Sequence, residues 1–343
     1  MAKGILMHRP MIIAELSANH NQNLEIAKES ILAIKECGAD GVKLQTYTPK
    51  CLTLNSQNKD FQINSGTPWD GKTLYELYEE AYMPWQWHEE LFRLARDIGI
   101  EIFSSPFSLE ALDLLESLDC PMYKIASFEI TDIDLIYHVA KTKKPIILST
   151  GIAGDDEIKD ALLACKEAQN NDITLLKCTS SYPAPIQEAN LLSMPELGKK
   201  YGVKYGLSDH TKGYLSPIIA TSLGAVMIEK HFILDKSFNT PDSAFSMDKK
   251  EFQEMVEKVR QCTLALGEKN PQPDMIKLHN QRKFARSLFV CENIKKGQPL
   301  TYQNIRSLRP NNGIAPKYLK KILGKKALKD LPFGKPLEFG DFI

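Results

Sequence analysis

Short β-branched runs alternate along the chain with amphipathic segments of helix length. The runs open at Met11 (MIIAELS), Gly41 (GVKLQTY), Glu101 (EIFSSPF), Met122 (MYKIAS), Pro145 (PIILST), Ile173 (ITLLKCTS), Lys204 (KYGLSDH) and Val226 (VMIEKHF). Between them, NLEIAKESILAIKECG sets Leu24, Ala27, Ile31 and Ile34 on one stripe and reaches Gly38 where a C-cap glycine belongs. DDEIKDALLACKEAQ repeats the pattern, and SMDKKEFQEMVEKVRQCTLALG reads as the last helix of the series. Strands alternating with helices imply parallel βα units, and eight of them fit a closed (β/α)8 TIM barrel. An open doubly wound sheet is the competitor, weakened by the lack of a G-x-G-x-x-G turn after the first strand.

Two departures from this rhythm matter. Residues 48–84 form a long polar excursion after the second strand, the kind of insertion that builds a lid or binding loop. After the barrel, expected over 1–267, a Pro-bearing linker (268–282) leads to a module over 283–343. That module has short strands, tight glycine turns and the paired phrases IKKGQPL and LPFGKPL, and reads as a small β-rich domain.

Composition narrows the class. A formal net charge of +0 excludes a broad electrostatic surface for nucleic acid or anionic membrane. Seven scattered cysteines without a C-x-x-C pair suit reduced thiols in a cytoplasmic protein. The N-terminal stretch has no signal-like apolar region, and no segment approaches the ~18 apolar residues of a membrane span.

All eight strands end in side chains with chemistry, where a parallel barrel builds its active site. In chain order these are Glu15 with Asn19 and His20; Lys43 and Gln45; Ser104 and Ser105; Lys124, Ser127 and Glu129; Ser149 and Thr150; Thr179, Ser180 and Tyr182; Ser208, Asp209 and His210; Glu229, Lys230 and His231. Strand ends meet water, so a single hydroxyl among these carries little weight. Lys43 and Lys124 carry more, because a lysine in an apolar strand is costly unless it meets an anion. With the converging hydroxyls they make a pocket for phosphate or carboxylate. His210 and His231 end neighbouring strands, and with the carboxylates nearby they suit a catalytic Mn²⁺, Co²⁺ or Mg²⁺. His8, His88, His138 and His279 fall in helical or terminal segments and read as surface residues.

Taken together, IIAELSANHNQ, GVKLQTY, SSPFS, YKIAS, ILSTG, KCTSSYPAP, GLSDHT and IEKHF resemble the sialic acid synthase family in order and spacing. The C-terminal KKGQPLTYQNIRSLRP resembles that family's antifreeze-like (SAF) domain. ELSANH stands where the commoner pattern is E-I-G-x-N-H-x-G, so Ser17 and Gln22 occupy glycine positions. With LYELYEEAYMPWQWHEELF this is most similar to the pseudaminic acid branch; the N-acetylneuraminic and legionaminic branches are the near alternatives.

The resemblance implies condensation of phosphoenolpyruvate with an open-chain acetamido sugar, a diacetamido trideoxy-L-altrose for that branch, by C–O cleavage. It implies a divalent metal, Mn²⁺ first, on His210 and His231, and Glu15 orienting or deprotonating the attacking water. Lys43, Ser105, Lys124, Ser127, Ser149, Ser180 and Ser208 would bind phosphoenolpyruvate, with Ser180 standing where the family has asparagine. Gln45, Glu129, Tyr182, Asp242, Phe245 and Arg309 would face the sugar. Arg309 would reach the barrel of a second subunit in a domain-swapped homodimer, and Phe284 and Arg286 are weaker candidates for the same interface. The product would decorate bacterial surface glycans or flagellin. Two other readings remain open: an aldolase with a Schiff base at Lys124 or Lys230, and a non-catalytic ice- or carbohydrate-binding protein.

Overall fold

A computed structural model of the chain describes residues 9–64, 66, 69–267 and 273–343; His8 and residues 268–272 of the expected linker lie outside them. The chain divides into two compact units, Met1–Glu268 and Lys269–Ile343.

The first unit is a closed barrel of eight parallel strands: β1 Met11–Glu15, β2 Gly41–Thr46, β3 Glu101–Pro106, β4 Tyr123–Ile125, β5 Ile146–Ser149, β6 Ile173–Cys178, β7 Lys204–Asp209 and β8 Met227–His231. β1 pairs with both β2 and β8, which excludes the open sheet. Each expected strand is present, and helices cover the outside. Leu24–Glu36 is capped by Asn23, whose side chain accepts from Glu25 N and Ile26 N, and it ends before Gly38 at φ +82°. Lys249–Leu266 starts at a capping box between Asp248 and Glu251. Gly206 is required where β7 runs beside β8: a Cβ there would sit 2.4 Å from the Met227 carbonyl oxygen. At the opposite end from the strand C-termini, Asp40 ties Arg9, Arg260 and the Ile12 amide together, a stability feature by position.

The excursion after β2 has structure of its own. It contains the helix Pro49–Leu52, a bridge between Gln62 and Thr73, and the helix Leu74–Ala81 with a Thr73–Glu76 capping box. His88 corrects the sequence reading. It opens the helix His88–Ile98 fully buried, on the same face as Leu91, Phe92 and Ala95, with Nε2 2.9 Å from Thr46 Oγ1. His20 is also buried, edge-on to Trp87, and its Nδ1 accepts from the Gln22 amide. His279 is exposed and His138 partly so.

Burial lowers His20 and His88 from the usual 6.5 to about 4. Below pH 6.5 the unfolded chain therefore takes up protons that the folded chain refuses, and stability falls as pH drops toward 4. Glu15 and Glu129, pushed up to about 7 by burial, act in the opposite sense, so the histidine contribution is read as a difference between proteins. Between pH 7.5 and 5, wild type should lose about 2 kcal/mol more in urea unfolding than His88→Gln. Parallel losses in the two proteins would contradict a neutral buried His88.

The second unit carries the helix Met275–Arg282 and an antiparallel pair, β9 Ser287–Val290 and β10 Ile305–Leu308. Its own core includes Leu288, Val290, Ile294, Leu300, Ile305, Leu331 and Leu337. The two repeated phrases meet at an Ile294–Leu331 bridge, and each turns on a left-handed glycine, Gly297 and Gly334. Ser287 Oγ donates to the Pro310 carbonyl and accepts from the Asn312 and Gly313 amides. That brace holds the exposed loop bearing Arg309.

Candidate active site

Strand alternation and barrel register decide which strand-end residues meet. Glu15 lies beside Lys43 on one side and His231 on the other; Gln45 is level with Ser105, and Ser208 with both Cys178 and Glu229. These residues, with Lys124, Ser149 and His210, form the inner rows at the C-terminal mouth. The intervening residues face outward. Ser104 bonds to Thr46, 2.6 Å away, and Thr150 donates to the Leu176 carbonyl.

At the centre two lysines meet two carboxylates, all buried. Lys43 pairs with Glu15 Oε2, and Gln45 Nε2 donates to Glu15 Oε1 at 3.0 Å. Glu229 Oε1 lies 3.8 Å from Lys43 Nζ and 3.9 Å from Lys124 Nζ, and accepts from Ser208 Oγ at 3.1 Å. Burial lifts Glu15 to about 7, with Lys43 pulling down and Glu229 pushing up. Burial acts on Glu229 in the same sense, but Lys124 and Lys43 outweigh it and hold that carboxyl below its usual range. Lys124 is pushed down by its own burial. The sequence counts Glu229 only among the carboxylates near the two histidines; its place between the lysines makes it central.

Several buried polar atoms here have no hydrogen-bond partner among the described residues: Ser105 Oγ, Ser149 Oγ, Glu229 Oε2, Glu129 Oε2 and His231 Nδ1. Unsatisfied groups clustered at a barrel mouth mark where a ligand completes the bonding. Ser127 and Ser180 crowd Gly151, whose amide donates to Ser127 Oγ; a Cβ on Gly151 would lie 2.2 Å from Ser180 Oγ. The chain there is kept open for its neighbours by the glycine.

Above the histidines lies an aromatic cluster. Tyr182 stacks 4.4 Å from His210, and Phe245 is 5.1 Å from Tyr182 and 4.9 Å from His231. Trp69, from the excursion, lies 6.4 Å from Tyr182 and donates to the Pro241 carbonyl. Asn19 proves architectural: it bonds to Phe232 O, Ser246 Oγ and Thr240 Oγ1, fixing the segment that carries Asp242 and Phe245 against the end of β1. Ser17 and Gln22 adopt φ of +44° and +51°, so the loop keeps a glycine-like path with side chains added. Gln22 uses its side chain to hold the Glu80 and Tyr82 carbonyls.

Asp209 and Lys230, register partners on the outer face, form a buried ion pair. Lys230 Nζ also donates to the Thr211 carbonyl, and Asp209 Oδ1 accepts from the Thr211 amide and hydroxyl. Lys230 thus points away from the barrel interior and is removed as a Schiff-base candidate. The pair pins the chain on both sides of His210. Lys230→Met strands a buried carboxylate and should cost about 3–5 kcal/mol in urea unfolding, whereas Asp209→Leu combined with it should recover most of the loss. Equal stability of the single variant and wild type would show the pair to be unimportant.

The imidazoles of His210 and His231 lie 5.3 Å apart, centroid to centroid. His210 Nδ1 is 3.0 Å from the Thr179 carbonyl, which can only accept, so Nδ1 is the nitrogen that donates and Nε2 is the one left for a ligand. Burial holds His231 well below its usual range and therefore neutral, and its Nδ1 lies 3.7 Å from Asp242 Oδ2. No three His, Cys, Asp or Glu side chains converge as a complete metal cage among the described residues. Two neutral-capable imidazoles with the remaining positions left to water and substrate fit an open catalytic site.

Arg309 belongs to the second unit. Among the described residues, no helix is long and apolar enough to cross a membrane.

Comparison with known proteins agrees with the geometry. A profile of the NeuB family matches residues 30–271, and one of the SAF domain matches 285–343. The chain is 60% identical over 336 residues to a pseudaminic acid synthase of Helicobacter pylori, covering 98% of both. It is 50% identical to a pseudaminic acid synthase of Campylobacter jejuni, covering 96% of both. Among solved structures, N-acetylneuraminic acid (sialic acid) synthetase from Leptospira borgpetersenii superposes with a TM-score of 0.70 at 28% identity, over 80% of this chain and 91% of that one. A closed barrel armed at its mouth, an SAF domain and 60% identity over nearly the whole chain converge: the chain belongs to the NeuB family of sialic acid synthases.

Proposed function

We infer that the chain is a pseudaminic acid synthase, condensing phosphoenolpyruvate with a diacetamido trideoxy-L-altrose and water to give pseudaminic acid and phosphate. The observation that carries the reading is the pair of buried, unpartnered hydroxyls Ser105 and Ser149, set in the same mouth as Lys43 and Lys124. Hydroxyl donors and two ammonium groups are what a phosphate and a carboxylate require. Ser127, Ser180 and Ser208 complete this anion site.

Gln45, Glu129, Tyr182, Asp242 and Phe245 face the sugar. A divalent ion held by His210 and His231, Mn²⁺ in first place and Co²⁺ or Mg²⁺ otherwise, would polarise the aldehyde carbonyl as a Lewis acid. C3 of the enol forms a bond to the aldehyde carbon, whose oxygen takes a proton from solvent. Water adds at C2 as Glu15 takes one of its protons, and the tetrahedral centre collapses to the 2-keto acid as the C2–O bond to phosphate breaks, the remaining hydroxyl proton leaving with the phosphate. Burial raises Glu15 to about 7, so its carboxylate binds a proton more strongly than an ordinary glutamate does, which suits a base.

The working unit is a domain-swapped homodimer in which Arg309 from a second copy reaches the sugar. Exposed apolar residues on the loops after β2, β4, β5 and β6, namely Leu54, Phe128, Ile152 and Ile186, support a covered mouth. The test is phosphate release over a sugar panel, with product mass as the second readout. Turnover is expected only with phosphoenolpyruvate, the altrose derivative and Mn²⁺ together. Turnover of N-acetylmannosamine or of the legionaminic precursor, but not the altrose sugar, would reassign the chain within its family.

A further inference from the structure

The inner row of β2 does not end at Gln45. Alternation carries it from Lys43 through Gln45 to Tyr47, and the inner row of β3 runs from Phe103 through Ser105 to Phe107. Tyr47 and Phe107 therefore form the next layer above the Gln45–Ser105 pair, with ring centroids 5.3 Å apart. Tyr78, from the helix Leu74–Ala81, closes the other side of Tyr47 at 5.8 Å. Only 4% of Tyr47 is exposed, and its hydroxyl makes no hydrogen bond among the described residues; unlike Ser105 Oγ and Ser149 Oγ, that oxygen is not fully sealed from solvent, so it stays open to a ligand. A phenol so nearly buried usually finds a partner for its O–H.

The neighbouring charges narrow what that partner can be. Asp242 and Glu15 lie close enough to Tyr47, and Glu129 to Tyr78, for each carboxylate to raise the phenol concerned, adding to burial, so both phenols stay protonated donors. The carboxylates accept, and they take up the hydroxyl groups of a sugar. An acetamido carbonyl oxygen cannot use them, because it also only accepts. It needs a donor: Gln45 and Lys43 each spend one on Glu15, whereas the Tyr47 hydroxyl, in the layer directly above them, has spent none.

We propose that Tyr47 is a sugar-binding residue whose hydroxyl donates to an acetamido carbonyl oxygen of the acceptor sugar, while its ring, backed by Phe107 and Tyr78, packs against the acetamido methyl. The proposal rests on the reading of the chain as a synthase that takes an acetamido sugar. It gives the excursion after β2 a part in specificity, since Tyr78 holds the phenol in place.

Tyr47→Phe removes one oxygen and leaves the ring and its packing. The experiment is steady-state phosphate release by wild type and Tyr47→Phe, varying each substrate at saturation of the other. The expected result is a KM for the sugar raised ~10-fold, with KM for phosphoenolpyruvate within about twofold of wild type. A sugar KM within about twofold of wild type, or equal rises in both KM values, would overturn the assignment. Wild-type turnover of the diacetamido altrose tests the functional reading separately. Should that fail while N-acetylmannosamine is accepted, the same comparison is made with N-acetylmannosamine, and an unchanged KM again removes Tyr47 from the sugar site.

Discussion

Glu15→Gln should lower kcat by about 10²–10⁴-fold while the KM for phosphoenolpyruvate moves by less than about threefold. Glutamine keeps the size of the side chain but cannot take a proton. Lys43 loses its closest partner yet still has Glu229 at 3.8 Å, so its charge stays compensated and the anion pocket keeps its shape. A base acts in its ionised form, so wild-type kcat should climb as pH rises through the Glu15 value of about 7. The residual activity of the variant should lack that rise. Measuring kcat against pH for both proteins checks the role, and an unchanged kcat would remove Glu15 as the base.

The second large effect is expected at the histidines. His210→Ala combined with His231→Ala should abolish Mn²⁺ binding in a calorimetric titration and reduce phosphate release by about three orders of magnitude. The binding readout matters more than the rate, because Phe245 packs on both rings and Tyr182 on that of His210, so losing the imidazoles also disturbs the sugar side. Chelation followed by Mn²⁺ addition should remove and restore wild-type activity. Full Mn²⁺ affinity in the double variant would mean that the ion, if it binds, does so elsewhere. Single variants should fall between, since each leaves one imidazole and the nearby Asp242 carboxylate.

The outer-face pair beside these ligands shows how local pattern and tertiary contact divide the information. Ser208-Asp209-His210 and Glu229-Lys230-His231 are two matching triplets on adjacent strands. Period-two alternation alone assigns the outer members inward and the middle ones outward. The sequence reading grouped Asp209 with the site because it considered strand ends whole rather than by face. His88 was misplaced for a related reason: its spacing from Leu91, Phe92 and Ala95 sets it on the apolar stripe, but a histidine near a helix start invites a surface assignment. Tyr47 continues the Lys43–Gln45 row at the end of the run GVKLQTY, but a phenol there carries no ligand signal until tertiary structure sets Phe107 and Tyr78 against it.

What the amino-acid order determined by itself was everything carried by neighbours in sequence: eight strands, the helices between them, the polar strand ends and the glycine turns of the second unit. Each depends on propensity and periodicity within about ten residues. Tertiary structure decided the rest. That Glu15 faces Lys43 and His231, that Glu229 bridges two lysines, and that Asp209 meets Lys230 all follow from the register of a closed barrel. The pairs are separated by 21 to more than 200 positions, so no local pattern encodes them. The carboxylate proton affinities belong to the same class, because burial and neighbouring charge exist only once the barrel has closed.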